Sequence, residues 1–217
     1  MIKRFLPLLL LCSQLCMAQS LPIDFENNIV TSDFVDFDGG TATVLPNAQS
    51  SGINTSATVA QIVRNGGALW SGSKIYLASN LDFSSSNIIT MKVYTSAPIG
   101  TVVKFKLEGS GSTERDATTT VSNEWEELSW DFTGEPSNFN TLVFMFDFGN
   151  VGDGSANSTF LFDDVAQVFG GAQLDLPVTF EDPAVNYTTT DFGGNLSTMI
   201  TDPFDANNTV VEVIKTA

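Results

Sequence analysis

The chain has 217 residues, a formal net charge of −16, two cysteines and no histidine. Ser-His-Asp and Cys-His catalysis and the usual His/Cys zinc cage are therefore excluded. So acidic a chain repels nucleic acid and anionic lipid surfaces.

Residues 1–18 have the grammar of a secretion signal. Lys3 and Arg4 form the basic start, Phe5–Cys16 is apolar, and a cut is expected between Ala18 and Gln19. The apolar run, about a dozen residues, is too short to span a bilayer as a helix. Both cysteines fall inside it, so the mature chain is expected to lack thiols and to carry a charge of −18. No other segment reads as a membrane span, and a secreted or cell-surface location is expected.

The hexapeptide Leu21–Glu26 (LPIDFE) returns as Leu176–Glu181 (LPVTFE), 155 positions later. Phe37-Asp38-Gly39-Gly40 is answered by Phe192-Gly193-Gly194, and the run TVAQIVR ending at Arg64 by TVVEVIK ending at Lys215. A period this long is a whole domain, not a solenoid repeat. Residues 19–170 are expected to be one complete domain and 171–217 the start of a second, with the natural protein continuing past Ala217. The unfinished copy is expected to pack poorly, and Val168–Asp175 to join the two closely.

Strand signals fill the first unit. Leu21–Glu26 alternates apolar and polar residues, Phe34–Phe37 ends at a Gly-Gly turn, and Thr55–Val63 is β-branched. Lys74–Leu77, Ile88–Thr95, Val102–Glu108, Asp116–Val121, Glu126–Phe132, Thr141–Phe148 and Thr159–Val165 follow, separated by Gly, Ser, Asn, Asp and Pro clusters. About ten short strands with frequent turns predict an all-β fold, a sandwich or barrel. Seventeen phenylalanines suit a sandwich with an aromatic core.

Several motifs in this order carry a resemblance. A strand ends in Phe25-Glu26, then come Trp70-Ser71-Gly72, the run Trp125–Phe132, and Phe160–Val165 (FLFDDV). The unit resembles the jelly-roll carbohydrate-binding modules related to families 4, 9 and 22, of the galactose-binding-like superfamily. It is similar also to tandem modules of secreted bacterial polysaccharide-degrading proteins. The resemblance implies a two-sheet antiparallel jelly roll and non-catalytic binding of polysaccharide on either a sheet face or the edge loops. It also implies one structural Ca2+ where the first and last strands meet.

Calcium takes six to eight oxygen ligands. Glu26 ends the first strand and Asp163 and Asp164 lie in the last, so the metal ligands are expected among Glu26, Asp164, Asp24, Asp163 and Asp38. Glu26 is preferred over Asp24, because Glu181 repeats it and Thr179 stands in place of Asp24. Asp164 is preferred over Asp163, because it shares the inward parity of Phe160 and Phe162. The alternative is that both aspartates only hydrogen-bond backbone. The stretch 150–157 (NVGDGSAN) reads as a hairpin turn more than as a calcium loop.

Sugars need flat apolar platforms and planar polar groups. Trp70 lies among glycines and is the best candidate for an exposed ring. Trp125, Tyr76 and Tyr94 follow, with Asn54 and Arg64 as polar partners and Asn65, Lys92, Gln61 and Glu108 behind them. Trp130 shares parity with Leu128 and Phe132 and is expected in the core. Glu124, Glu126, Glu127 and Asp131 read as a solvated face, so no organised acid/base pair for catalysis is expected. The expected partner is a neutral β-glucan-type polymer, with further modules or a glycoside hydrolase on the same monomeric chain. The alternative is a calcium-clamped spacer without a sugar site.

Overall fold

The computed structural model describes residues 19–27, 29–170, 178–182 and 185–215, so the expected signal at 1–18 lies outside the described residues. The chain divides into two units, one up to Val168 and one from Phe169.

Among the described residues the first unit has eleven strands. They are β1 (Phe34–Phe37), β2 (Gly40–Pro46), β3 (Thr58–Gly66), β4 (Gly72–Tyr76), β5 (Ile88–Thr95) and β6 (Val102–Gly109). Then come β7 (Ser112–Thr118), β8 (Trp125–Asp131), β9 (Phe139–Phe146), β10 (Gly152–Asp153) and β11 (Thr159–Val168). One sheet runs β1-β4-β9-β6-β7; the other runs β10-β3-β11-β5-β8, with β2 on β3. All strand pairs are antiparallel. This is a two-sheet sandwich, one of the two folds the strand pattern predicts, and of the jelly-roll type that the resemblance implies.

Phenylalanine rings join the layers. Phe144 of the five-stranded sheet meets Phe162 of the six-stranded sheet at 4.9 Å between centroids, and Phe146 stacks on Phe160 at 5.0 Å. Phe105 packs on Trp130, whose indole N–H donates to the Val103 carbonyl. Each such ring contributes roughly 1.5–3 kcal/mol by leaving water.

Besides β7, which starts four residues before the expected Asp116–Val121, and the two-residue β10 within the expected turn 150–157, three elements differ from the sequence reading. Leu21–Glu26 is not a continuous strand. Ile23 alone bridges to Val165, through two hydrogen bonds of 2.8 and 2.9 Å, and Phe25 then turns into the left-handed region at φ 54°. Strand β2 was not expected, since its Gly and Pro ends read as turns. Third, β11 carries a bulge between Asp163 and Ala166, with Asp164 at φ 48°. The extra residue returns Val165 to the core and turns Asp164 outward, against the expected parity.

Among its described residues the second unit has one hairpin, β12 (Asn195–Asp202) and β13 (Asp205–Lys215). Asn195 faces Lys215 there as Gly40 faces Arg64 in the first unit. The Glu26 carboxylate accepts the Thr58 N–H, and Glu181 accepts that of Thr209. Asp36 accepts the Ala42 N–H, and Asp191 that of Ser197. Phe180, like Phe25, has a left-handed backbone. Eleven residues separate Pro46 from Thr58; seven separate their counterparts Thr201 and Thr209. The apolar side chains of Leu196, Met199, Val213 and Ile214 are exposed. Val168–Asp175 falls largely outside the described residues.

Candidate functional site

The site grows from two turns that touch. Asp38 and Gly39 make the β1–β2 turn, both at positive φ, and Gly66 and Gly67 begin the β3–β4 loop in the same region. A Cβ on Gly67 would sit 1.7 Å from the Asp38 carbonyl oxygen, so only glycine permits this approach. Backbone bonds from Asn65 N to Gly39 O and from Ala68 N to Asp38 O, each 2.9 Å, hold the turns together.

Arg64 fixes the loop from beneath. It is 0% exposed. Its guanidinium donates to the carbonyls of Asp147 (2.6 Å), Asn150 (2.7 Å), Ala68 and Leu69 (3.2 Å each) and to Ser71 Oγ (2.9 Å). Burial lowers its pKa, opposed by the nearby Asp147 carboxylate. Arg64 is therefore a structural anchor and not the sugar contact that its place beside Trp70 suggested. Its parity with Ala60 and Ile62, both buried, was the sequence signal for this.

On this support Trp70 stands 53% exposed, its indole N–H donating to Asp38 Oδ2 at 2.8 Å. Asp38 thus orients the ring, far in role from a calcium ligand. Trp70 heads a groove of about 510 Å³ on the outer face of the five-stranded sheet, lined also by Phe37, Lys74, Lys106, Glu114 and Met145. Strand register places Val35, Lys74, Val143, Lys106 and Glu114 in one row across five strands. The next row holds Tyr76, Thr141, Glu108 and Ser112. Tyr76 is 50% exposed, with the Lys74 ammonium 5.5 Å from its ring centre.

The charges here are paired. Lys106 meets Glu108 at 2.8 Å and Lys74 meets it at 3.5 Å; Lys104 meets Asp116 at 2.8 Å and Glu114 at 3.0 Å. The Lys106 hydrogen bond is the main reason the Glu108 carboxyl lies below its ordinary value. Burial opposes the Lys104 charge, but Asp116 and Glu114 outweigh it and hold the ammonium above its usual range. Flat rings at the ends and fixed carboxylates and ammoniums between them suit a polyhydroxylated ligand. Of these polar groups only Glu108 figured in the sequence reading. The alternation Lys104, Lys106, Glu108 on one face of β6 was the available signal.

The other expected contacts lie elsewhere. Trp125 is only 7% exposed and donates its indole N–H to the Gln49 carbonyl at 2.8 Å. Its parity is outward, but the loop after β2 covers it. Tyr94 packs on Trp125 at 5.7 Å, on the six-stranded sheet, and so shares no site with Trp70 and Tyr76. Asn54 is buried, and its amide donates to Asp163 Oδ2 at 2.9 Å. Gln61 is on the six-stranded sheet, and Lys92 pairs with Asp164 at 2.7 Å.

Where the first and last segments meet, Asp163 and not Asp164 is the buried carboxylate, 0% exposed. It accepts from Asn54 and from the Asp164 N–H, and burial pushes it up to about 6. Among the described residues no Lys or Arg pairs with it. Asp24 accepts the Glu26 N–H in the turn. The five expected ligands do not form one cage, and no three acidic side chains among the described residues converge on a metal position. In the 150–157 stretch, Asp153 accepts from Ser155 N and Ser158 Oγ, as a turn residue does.

Fold and groove define a class: a jelly-roll sandwich displaying aromatic rings and paired charges on one sheet. Solved structures that share this fold include carbohydrate-binding modules. The family 11 module of a cellulosomal cellulase of Clostridium thermocellum superposes with a TM-score of 0.50 at 14% identity, over 70% of this chain and 94% of that one. An exo-β-agarase superposes with a TM-score of 0.52 at 12% identity, over 70% of this chain and 25% of that one. A family 22 xylan-binding domain from Paenibacillus barcinonensis gives 0.48 at 17%, over 69% and 94%. At these identities the likeness is one of fold. No family model and no curated protein matches the chain.

Proposed function

We propose that this chain binds polysaccharide without acting on it, through the outer face of the five-stranded sheet. Trp70 and Tyr76 are the stacking platforms, and Lys74, Lys106, Glu108 and Glu114 meet the hydroxyls. The observation that carries this reading is Trp70, an exposed ring pinned by Asp38 above a fully buried arginine. A tryptophan with no partner ligand has no packing reason to be held so. The likeness to a carbohydrate-binding module of a cellulase and to part of an exo-β-agarase supports a polysaccharide as partner. The spacer reading gains where every tryptophan is packed; Trp125 and Trp130 are packed and Trp70 is not, which favours the binding reading.

The proposal includes a secreted, monomeric protein whose modules deliver an attached catalytic domain to a neutral β-glucan-type polymer. The twin hairpins support a tandem arrangement, in which avidity rises without a better site. Calorimetric titration of the full chain with soluble β-glucans tests it. Trp70→Ala is expected to weaken groove binding at least about tenfold. Unchanged binding in that variant, or no heat across a panel of neutral glycans, refutes it.

A structural Ca2+ where the chain ends close is part of the proposal. The supporting observation is Asp163, a buried carboxylate that no Lys or Arg pairs with among the described residues. Bound there, calcium supplies charge compensation and a tie between chain ends. Saturation at about 100 times the dissociation constant is expected to add about 2.7 kcal/mol to stability. A melting temperature indifferent to both calcium and chelator overturns it.

A further inference from the structure

We infer that the outer face of the six-stranded sheet carries a second saccharide site, built on Tyr94, Gln61 and Gln49, for a short neutral glycan segment. It rests on the reading of this chain as a polysaccharide binder and adds a face that the groove at Trp70 does not use.

Register sets Thr43, Gln61, Leu161, Tyr94 and Trp125 in one row across five strands. Val59, Leu161, Trp125 and the half-buried Tyr94 form an apolar cluster of their own, separate from the main core. A cluster on the outside of a sandwich has no second layer of protein to explain it. The loop after β2 closes one side, because the Trp125 indole holds the Gln49 carbonyl. What results is a hollow of about 440 Å³, floored by Leu161 and Tyr94 and rimmed by Gln49, Gln61, Ser96 and Asn123. This is within the size range of small-molecule sites.

The chemistry of the lining selects the ligand. Among the described residues that line the hollow none is charged, in a protein of net charge −16. The groove at Trp70 is dense with lysines and carboxylates by contrast. Side-chain amides offer donor and acceptor together, as sugar hydroxyls require. Those of Gln49 and Gln61 lie on the rim without a hydrogen bond to the described protein. A tyrosine ring with a locked neighbour gives a platform at little entropic cost. A uronate or sulfated sugar meets no cation here and an unfavourable overall field. Neutral hydroxylated rings fit.

The test is calorimetry on the full chain with xylohexaose and with a mixed-linkage β-glucan hexasaccharide. Wild type, Trp70→Ala, Gln61→Glu and the Trp70→Ala/Gln61→Glu double variant are compared. Gln61→Glu keeps the size of a half-exposed side chain, and its melting temperature is expected to match the parent. The expected result is about one binding event per chain remaining in Trp70→Ala, weakened about tenfold or more in the double variant. Tyr94→Ala in the Trp70→Ala background, if folded, is expected to abolish it. Loss of all binding in Trp70→Ala overturns the second site and leaves the groove standing. Residual binding that ignores Gln61→Glu also overturns it. No binding by the wild type overturns both sites together.

Discussion

Replacing Arg64 with methionine keeps an unbranched apolar stem, two atoms shorter, and removes the five donated hydrogen bonds. Three of the acceptors keep another donor. The Ala68 carbonyl still receives Ser71 N–H, Leu69 still receives Gly149 N–H, and Asp147 still receives Asn150 N–H. The Asn150 carbonyl and Ser71 Oγ lose the arginine with no such substitute. Two bare acceptors cost about 1–3 kcal/mol each and three weakened ones about 0.5 kcal/mol each, while relief of the buried charge returns part. The net is about 3–4 kcal/mol, a large share of the 5–15 kcal/mol typical of a domain. In a domain of this size that lowers the melting temperature by about 10 °C. Urea denaturation of the full chain reads the same quantity. Arg64→Lys, with three donors, is expected to recover part of it. A loss below about 1 kcal/mol in Arg64→Met would refute the assignment of this side chain as the anchor of the Trp70 loop.

Two further outcomes follow from packing. Gly67→Ala drives a Cβ into the Asp38 carbonyl at a left-handed position, so it is expected to cost about 2 kcal/mol or more. It should weaken glycan binding beyond what unfolding explains, read by titration well below the melting temperature. Phe162→Ala empties a fully buried place against Phe25, Phe34, Phe144 and Phe146. A loss of about 3–5 kcal/mol is expected in chemical denaturation, with binding intact in the fraction that stays folded.

Much of this was legible in the sequence because side-chain alternation is local. Strands β5, β6 and β8 announce themselves by period two, as does the inward parity that places Trp130 in the core; the two-residue β10 lies where the sequence reads as a turn. What alternation cannot see is where it breaks. The left-handed Phe25 ends the first strand early, and the bulge at Asp164 exchanges the roles of two adjacent aspartates. Nor can it see what lies over a face. Trp125 points outward by parity and is buried by a loop some seventy residues earlier in the chain. Trp70 was readable as an exposed ring from its glycines. Its dependence on Arg64 was not, since that arginine gathers carbonyls from a loop more than eighty residues further along the chain.

The two hairpins share a register and a glutamate that grips the foot of the return strand, yet their tips differ by four residues. In the first unit that tip is what covers Trp125 and supplies Gln49 and Asn54. A base held constant while the tip changes length lets the framework be copied without copying its outer wall. The two hairpins therefore keep one register while differing in what their tips can cover.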